Sequence, residues 1–248
     1  LMSVAGPVEG PPSRLGIPIG DLAAGLFATQ GILAALVARA STGRGQHVDV
    51  SMLDSVAALL TYHASAYLTT GEAPPRMGNG HASIVPYNTF KARDGLLMLA
   101  VGNDDQWRRF CIAAERPDLA ADSRFATNAQ RVRDRNTLEP LVQHIIEGRD
   151  RKDWVDRLGE AGVPCGVVRS IGEVLESPEI AARGMLAMVS HPTAGDLRLV
   201  AHPVKLSGVT SRPDTPPPLI GQHTEAILTE DLGLTTDVRA DLRKRNIV

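Results

Sequence analysis

Ile17-Pro18-Ile19-Gly20-Asp21-Leu22-Ala23-Ala24-Gly25-Leu26 delivers one carboxylate to the start of a long apolar helix. Pro18 and Gly20 break regular structure before Asp21, and a helical pattern begins after it. Leu22, Leu26, Thr29, Leu33, Leu36 and Val37 recur at helical spacing until Ser41-Thr42-Gly43 stops the run. The pattern predicts Asp21 as the N-cap. Its oxygens would accept hydrogen bonds from the first turn's free N–H groups, and the helix dipole would favour its charge. Two readings stay open at this point. An Asp before an apolar helix is an ordinary cap; an ionised carboxylate fixed beside Gly-rich backbone is also what a nucleophilic Asp requires.

Composition narrows the classes. The 248 residues suffice for one large domain or two small ones with a real core. A hydrophobic content of 43% and a charged content of 22% are ordinary globular values. A net charge of −2 gives no sign of wholesale binding to nucleic acid or to an anionic membrane surface. No run is read as long and apolar enough to span a bilayer, and the start is not a signal peptide. Cys111 and Cys165 are too few and too far apart for a disulfide framework, so a reducing, cytoplasmic compartment is expected. Zinc-ligand spacings are absent. Aromatic residues at 4% argue against a stacking platform for single-stranded nucleic acid. The chain opens on Leu1 and a Gly/Pro-rich segment, which reads as a loop entered from a longer protein.

Along the chain, the helix from Asp21 to Ala40 is rich in Ala and Gly, so burial on more than one side is expected. Gly43-Arg44-Gly45-Gln46 reads as a tight turn, residues 47–52 as a strand, and residues 53–68 as a helix, together a piece of an α/β layer. Residues 70–84 form a Gly/Pro-rich loop of the kind used as a linker, lid or binding loop. Beyond it, Arg93-Asp94-Gly95 between two apolar runs predicts a β-hairpin. Asn103 or Asp104 caps the next helix, and helices over 128–147 and 151–160 follow. A short strand lies at 162–168, helices begin at Ser170 and Ser177, and strands fall at 185–190 and 197–200. Pro203, Pro213, Pro216, Pro217 and Pro218 mark 201–220 as an extended return linker, followed by helices from 221–224 to Leu232 and from Thr236 to Arg245.

In this order, six short stretches are similar to the class III CoA-transferases, the CaiB–BaiF family. They are Gly20-Asp21 opening a small-residue helix and Thr42-Gly43-Arg44-Gly45-Gln46 before a Val-x-Val run. Next comes Arg76-Met77-Gly78-Asn79-Gly80-His81, followed by Val101-Gly102-Asn103-Asp104-x-Gln106-Trp107. Gly162-Val163-Pro164-Cys165-Gly166 and Leu219-Ile220-Gly221-Gln222-His223-Thr224 complete the set. The middle blocks resemble the branch that uses succinyl-CoA and other dicarboxylate acyl groups.

The resemblance implies an α/β fold with a Rossmann-like large domain and a smaller α+β domain. Residues 1–70 and 201–248 would belong to the large domain, 71–84 to a Gly-rich active-site loop, and 85–200 to the small domain. Two such subunits interlock as a homodimer in the family. The family's first third, which carries most of the CoA-binding surface, has no counterpart here. By the same resemblance Asp21 is the covalent nucleophile, and Gly78, Asn79, Gly80 and His81 form a flexible loop that shields intermediates from water. Substrates would be CoA thioesters and small carboxylic acids, with no permanently bound cofactor and no metal.

Other residues read as structural. Arg44 would hold a turn, His81 alone would be a solvated loop residue, Asp104 would cap its helix, and Arg131, Arg133 and Arg135 would form a solvated face. Trp107 and Trp154 read as core and Cys165 as a small buried side chain. Two rivals remain. An α-methylacyl-CoA racemase shares the fold but needs a Gly-Ala-x-Glu block, where this chain has Gly102-Asn103-Asp104-Asp105. A truncated, non-catalytic product needing a partner chain is the other.

Overall fold

The helix expected at Asp21 starts two residues earlier. In the computed structural model, which describes residues 1–208 and 215–248, α1 covers Ile19–Thr42 and ends on Gly43, whose left-handed backbone (φ 69°) closes it. Pro213 of the return linker lies outside the described residues. The chain divides into two units, Leu1–Val168 and Arg169–Val248.

In the first unit α1 is followed by α2 (Met52–Ala58) and α3 (Tyr62–Thr70). Residues 47–52 were expected to form a strand, and they do not. The strands of this unit all come from residues 87–167, so the segment has no neighbour to take its backbone hydrogen bonds. It lies instead on α1, where a Cβ at Gly31 would come within 2.8 Å of Val48 Cγ1. The single helix expected over 53–68 is broken as well. Ser51 caps α2 by accepting from Asp54 N–H, and the chain turns at Thr61, whose φ of 45° and ψ of −120° are strained for a β-branched residue.

Two expectations for α1 are corrected here. Only Ala23 is buried along it; Leu26 and Val37 are 73% and 72% exposed. The small residues admit close approach, but within this unit little else lies against the helix besides α2 and the 47–50 segment. The run from Leu22 to Ala38 also carries no charge, and α1 is long and apolar enough, by length and composition, to cross a membrane. Its many Ala and Gly residues disguise that length when only large hydrophobics are counted.

The core of the unit lies between residues 85 and 163. β1 (Tyr87–Ala92) and β2 (Gly95–Ala100) form the expected hairpin, paired from Tyr87↔Ala100 to Ala92↔Gly95, and β3 (Cys165–Val167) adds to β2 with Leu97 opposite Val167. Strand alternation turns Leu97 and Leu99 inward and leaves Leu96 exposed. Helices α4 (Asp104–Ala113), α5 (Pro117–Ala121), α6 (Asn128–Arg133), α7 (Arg135–Ile146) and α8 (Arg151–Glu160) supply Trp107, Phe110, Leu138, Val142, Ile146, Trp154 and Leu158, all buried. Trp154 Nε1 donates to the Ile146 carbonyl at 2.8 Å, so its one polar atom is satisfied in the interior. The helix expected over 128–147 is interrupted at Asp134; a Thr127/Gln130 capping box starts its first half.

The second unit holds α9 (Ile171–Leu175) with a Ser170/Glu173 capping box, α10 (Pro178–Ala182) capped by Ser177, and a β4–β5 hairpin (Leu186–His191, Gly195–Val200). The helix expected to reach Leu232 is a short α11 (Thr224–Ala226) that widens into a π-turn at Ile227–Asp231. α12 (Thr236–Lys244) closes the chain, with Arg239 and Arg243 on Glu225.

Candidate active site

Asp21 is not the cap of α1. Pro18 occupies that position, and no side chain caps the helix; the Pro18 carbonyl accepts from Leu22 N–H at 3.0 Å, which places Asp21 in the first turn. Proline's fixed φ favours entry into a helix, so the helix begins before the carboxylate is reached. Gly20 permits the close seat on α2, since a Cβ there would lie 3.4 Å from Met52 Sδ and 3.5 Å from Val56 Cγ2. Asp21 itself is exposed and has no hydrogen-bond or ion-pair partner among the described residues. A negative charge in a helix's first turn is electrostatically favoured.

The Gly78-Asn79-Gly80-His81 stretch is fastened at several points. Gly78, at φ 60°, donates its N–H to the Gly6 carbonyl, and Gly80 N–H turns back to the Met77 carbonyl at 2.8 Å. Asn79 Nδ2 donates to Thr89 Oγ1 at 2.9 Å, and His81 N–H donates to the Tyr87 carbonyl at 3.0 Å. His81 is not a solvated loop residue. It is half-buried, with Tyr62 on one side (ring centroids 5.3 Å apart) and Tyr87 on the other (5.2 Å), and His63 continues the ladder beyond Tyr62 at 4.3 Å. Burial, then the charges of Arg135 and His63, push the imidazole's pKa below its usual 6.5.

Beneath the loop, the predicted solvated arginine face holds only at Arg133, which is exposed; Arg131 and Arg135 turn inward as two clamps. Arg131 is fully buried. Its Nε donates to the Val85 carbonyl (2.8 Å), Nη1 to the Phe125 carbonyl (2.9 Å) and Nη2 to Asp104 Oδ1 (2.9 Å), with Trp107 facing the guanidinium at 5.4 Å. Asp104 is therefore a partner of Arg131 and of Asn128 N–H; Asn103 caps α4 by accepting from Gln106 N–H at 2.8 Å. Asn128 returns to the loop, donating to the Ser83 carbonyl and accepting from Val85 N–H. Arg135 Nη2 donates to the carbonyls of His81 (2.6 Å) and Ala82 (3.2 Å), balanced by Glu139 at 3.2 Å. None of these partners was visible in local composition.

A cavity of about 640 Å³ opens above this frame, within the range of ligand pockets. Asn79, Gly80 and His81 line it from the loop, Tyr62 from α3, and Gly102 and Gln106 from the start of α4. The sequence reading missed Tyr62 and Gln106; the strained backbone at Thr61, which aims Tyr62, has no local signature. Among the described residues no group of three His, Cys, Asp or Glu side chains is placed to hold a metal ion.

The model of CoA-transferase family III matches residues 1–224. The chain belongs to that family. As a family III chain it is 34% identical over 232 residues to a succinyl-CoA:glutarate CoA-transferase of Homo sapiens, covering 94% of this chain and 53% of that protein. It is 35% identical over 231 residues to a succinyl-CoA:mesaconate CoA-transferase of Haloarcula marismortui, covering 93% and 58%. A crystal structure of a CaiB/BaiF family protein from Brucella suis superposes with a TM-score of 0.75 at 33% identity, covering 92% of this chain and 59% of that one. The chain thus has the fold of this part of the CaiB/BaiF proteins and spans about half the length of the curated relatives it matches.

Proposed function

We propose that the protein moves CoA from an acyl-CoA donor to a free carboxylic acid, with Asp21 as the covalent nucleophile. The observation that carries this reading is an exposed Asp21 carboxylate, without a partner among the described residues, on the first turn of α1 in a chain belonging to family III. An Asp oxygen attacks the thioester carbonyl, the C–S bond breaks, and CoA leaves as thiolate from a mixed anhydride. The thiolate attacks the aspartyl carbonyl, which frees the donor acid and leaves an aspartyl-CoA thioester. The acceptor carboxylate repeats the exchange in reverse and restores Asp21. No net proton or electron is consumed, and each step replaces one difficult exchange by two easier ones.

Names of the relatives support dicarboxylic acyl groups, with succinyl-CoA as the donor. Residues 1–70 and 201–248 would form the large Rossmann-like domain and 85–200 the small one, joined by the loop at 71–84. The apolar face of α1 would be covered in the whole protein, which we read as an interlocked homodimer. Two free cysteines, one buried, are compatible with a reducing, cytoplasmic compartment.

The racemase reading is weakened by what its acidic block does here. Asp104 pairs with Arg131, and Asp105 with Arg109 at 2.9 Å, and neither lines the cavity. The direct test is CoA transfer from succinyl-CoA to glutarate by the protein expressed from its complete reading frame. Asp21→Asn should abolish transfer; a variant that retains it would overturn the mechanism.

A further inference from the structure

The cavity beside the Gly78–His81 loop contains two polar side chains whose acceptor atoms are already used. Ser83 N–H donates to His81 Nδ1 at 3.1 Å, with Ser83 Oγ also 3.4 Å away. A ring nitrogen that accepts from a backbone N–H carries no proton, so the neutral imidazole has its hydrogen on Nε2. Gln106 is fixed in the same manner, because Gly102 N–H donates to its Oε1 at 2.7 Å and so assigns the opposite end of the amide as Nε2. Neither His81 Nε2 nor Gln106 Nε2 has a partner among the described residues. Both side chains therefore offer N–H donors to the same cavity.

The rest of the lining fits a short aliphatic chain. Ile84, Met98, Ala100 and Pro164 are apolar, and no Asp, Glu, Lys or Arg lines the space. The acids nearest in sequence are turned away, Asp104 to Arg131 and Asp105 to Arg109. A cavity with paired donors, apolar walls and no competing anion selects a ligand with a hydrogen-bond-accepting oxygen pair on a methylene chain.

We propose that this cavity seats the second, non-reacting carboxylate of a short aliphatic dicarboxylic acid. Its oxygens take hydrogen bonds from His81 Nε2 and Gln106 Nε2, and its methylenes lie on the apolar wall. The tyrosines on either side of His81 hold the ring in register, and the Arg135 clamp on the His81 and Ala82 carbonyls fixes the backbone that carries it. The assignment deepens the acyl-transfer reading and rests on it for the identity of the reacting end.

The test is a binding measurement that needs no turnover. Glutarate is titrated into the ¹⁵N-labelled protein while the side-chain nitrogens of His81 and Gln106 are followed by NMR. Pentan-1-ol, which keeps the five-carbon chain and lacks a carboxylate, is titrated in parallel. Glutarate should shift both side chains, and pentan-1-ol should bind about tenfold more weakly or worse, the loss expected for hydrogen bonds to a charged group. His81→Phe keeps a ring between the tyrosines and removes the donor. Gln106→Glu keeps the acceptor for Gly102 N–H and places negative charge where the amide donated. Each should weaken glutarate about tenfold or more. Shifts at only one side chain or at none, equal affinity for glutarate and the alcohol, or unchanged affinity in either variant would overturn the assignment. Glutarate binding as described without any CoA transfer would refute the transfer reading alone. Transfer to pentanoate, a mono-acid of the same length whose one carboxylate must react, at the same efficiency as to glutarate would refute the pocket alone.

Discussion

Arg131 reaches Asp104 Oδ1 through Nη2 at 2.9 Å from a position with no solvent exposure, while 42% of the Asp104 side chain stays in contact with water. The pair ties α6 to the start of α4, and the same guanidinium holds the Val85 carbonyl at the end of the 78–85 loop. A single side chain thus joins two walls of the cavity. Its removal leaves buried carbonyls at Val85 and Phe125 without donors, whereas loss of the half-exposed carboxylate is relieved by water.

Arg131→Met should therefore cost about 3–5 kcal/mol of stability, the scale for breaking a buried charged network. Asp104→Asn, which keeps an acceptor for Arg131 and Asn128 N–H but removes the counterion of the buried guanidinium, should cost less, about 1–2 kcal/mol. Urea unfolding of the two variants checks the ratio; equal effects would contradict the asymmetry.

Gly31 allows Val48 to lie against α1, and a Cβ there would come within 2.8 Å of Val48 Cγ1. Gly31→Leu should cost about 1–3 kcal/mol through overpacking, even though leucine favours helix. Paired with Val48→Ala, the loss should shrink, which a double-mutant cycle by thermal or urea unfolding reads directly.

His81 supplies a pH dependence with a definite sign. Its folded pKa is lowered from 6.5 by burial, by Arg135 on α7 and by His63 on α3. Below 6.5 the unfolded chain takes up a proton that the folded chain resists, so stability is full above that pH and falls as pH drops towards the folded pKa. His81→Gln should lose less stability than the wild type between pH 7.5 and the acid end of that window, measured by urea unfolding at each pH.

Cys111 is buried, and its thiol is pushed up to about 12 by burial and then by Asp118. Cys165 is half-buried and also raised by burial. Iodoacetamide at pH 8 should leave Cys111 unmodified in the folded protein and modify both residues in urea, as read by intact mass.

Much of the fold is legible where local chemistry decides it. The Arg93-Asp94-Gly95 turn fixes the β1–β2 hairpin, Ser170 and Ser177 start their helices, and α8 runs over the expected residues. What escapes is what depends on distant contacts. Residues 47–52 have strand composition but no strand to pair with, and the break at Thr61 is stored in an unusual backbone angle. Arg131 is instructive: on the single helix expected over 128–147 its spacing from Leu138, Val142 and Ile146 would have put it on their apolar face, although the structure breaks that helix at Asp134. Charge alone suggested solvent. In the candidate site, the Gly78–His81 stretch is marked by its glycines, while Tyr62 and Gln106 join it only through tertiary folding. Asp21 was expected as the cap of α1 and lies in its first turn instead, because Pro18 starts the helix first.

Asp21 is exposed and has no partner among the described residues, so Asp21→Asn should change stability by no more than about 0.5 kcal/mol while removing transfer. The most direct measurement is peptide mass spectrometry of the protein from its complete reading frame, after incubation with succinyl-CoA and quenching with hydroxylamine. A hydroxamate at Asp21, formed as hydroxylamine displaces the CoA thiolate from the aspartyl thioester and absent from Asp21→Asn, is the predicted result. Continued CoA transfer with no modification at Asp21, or with the modification on another residue, would contradict the account.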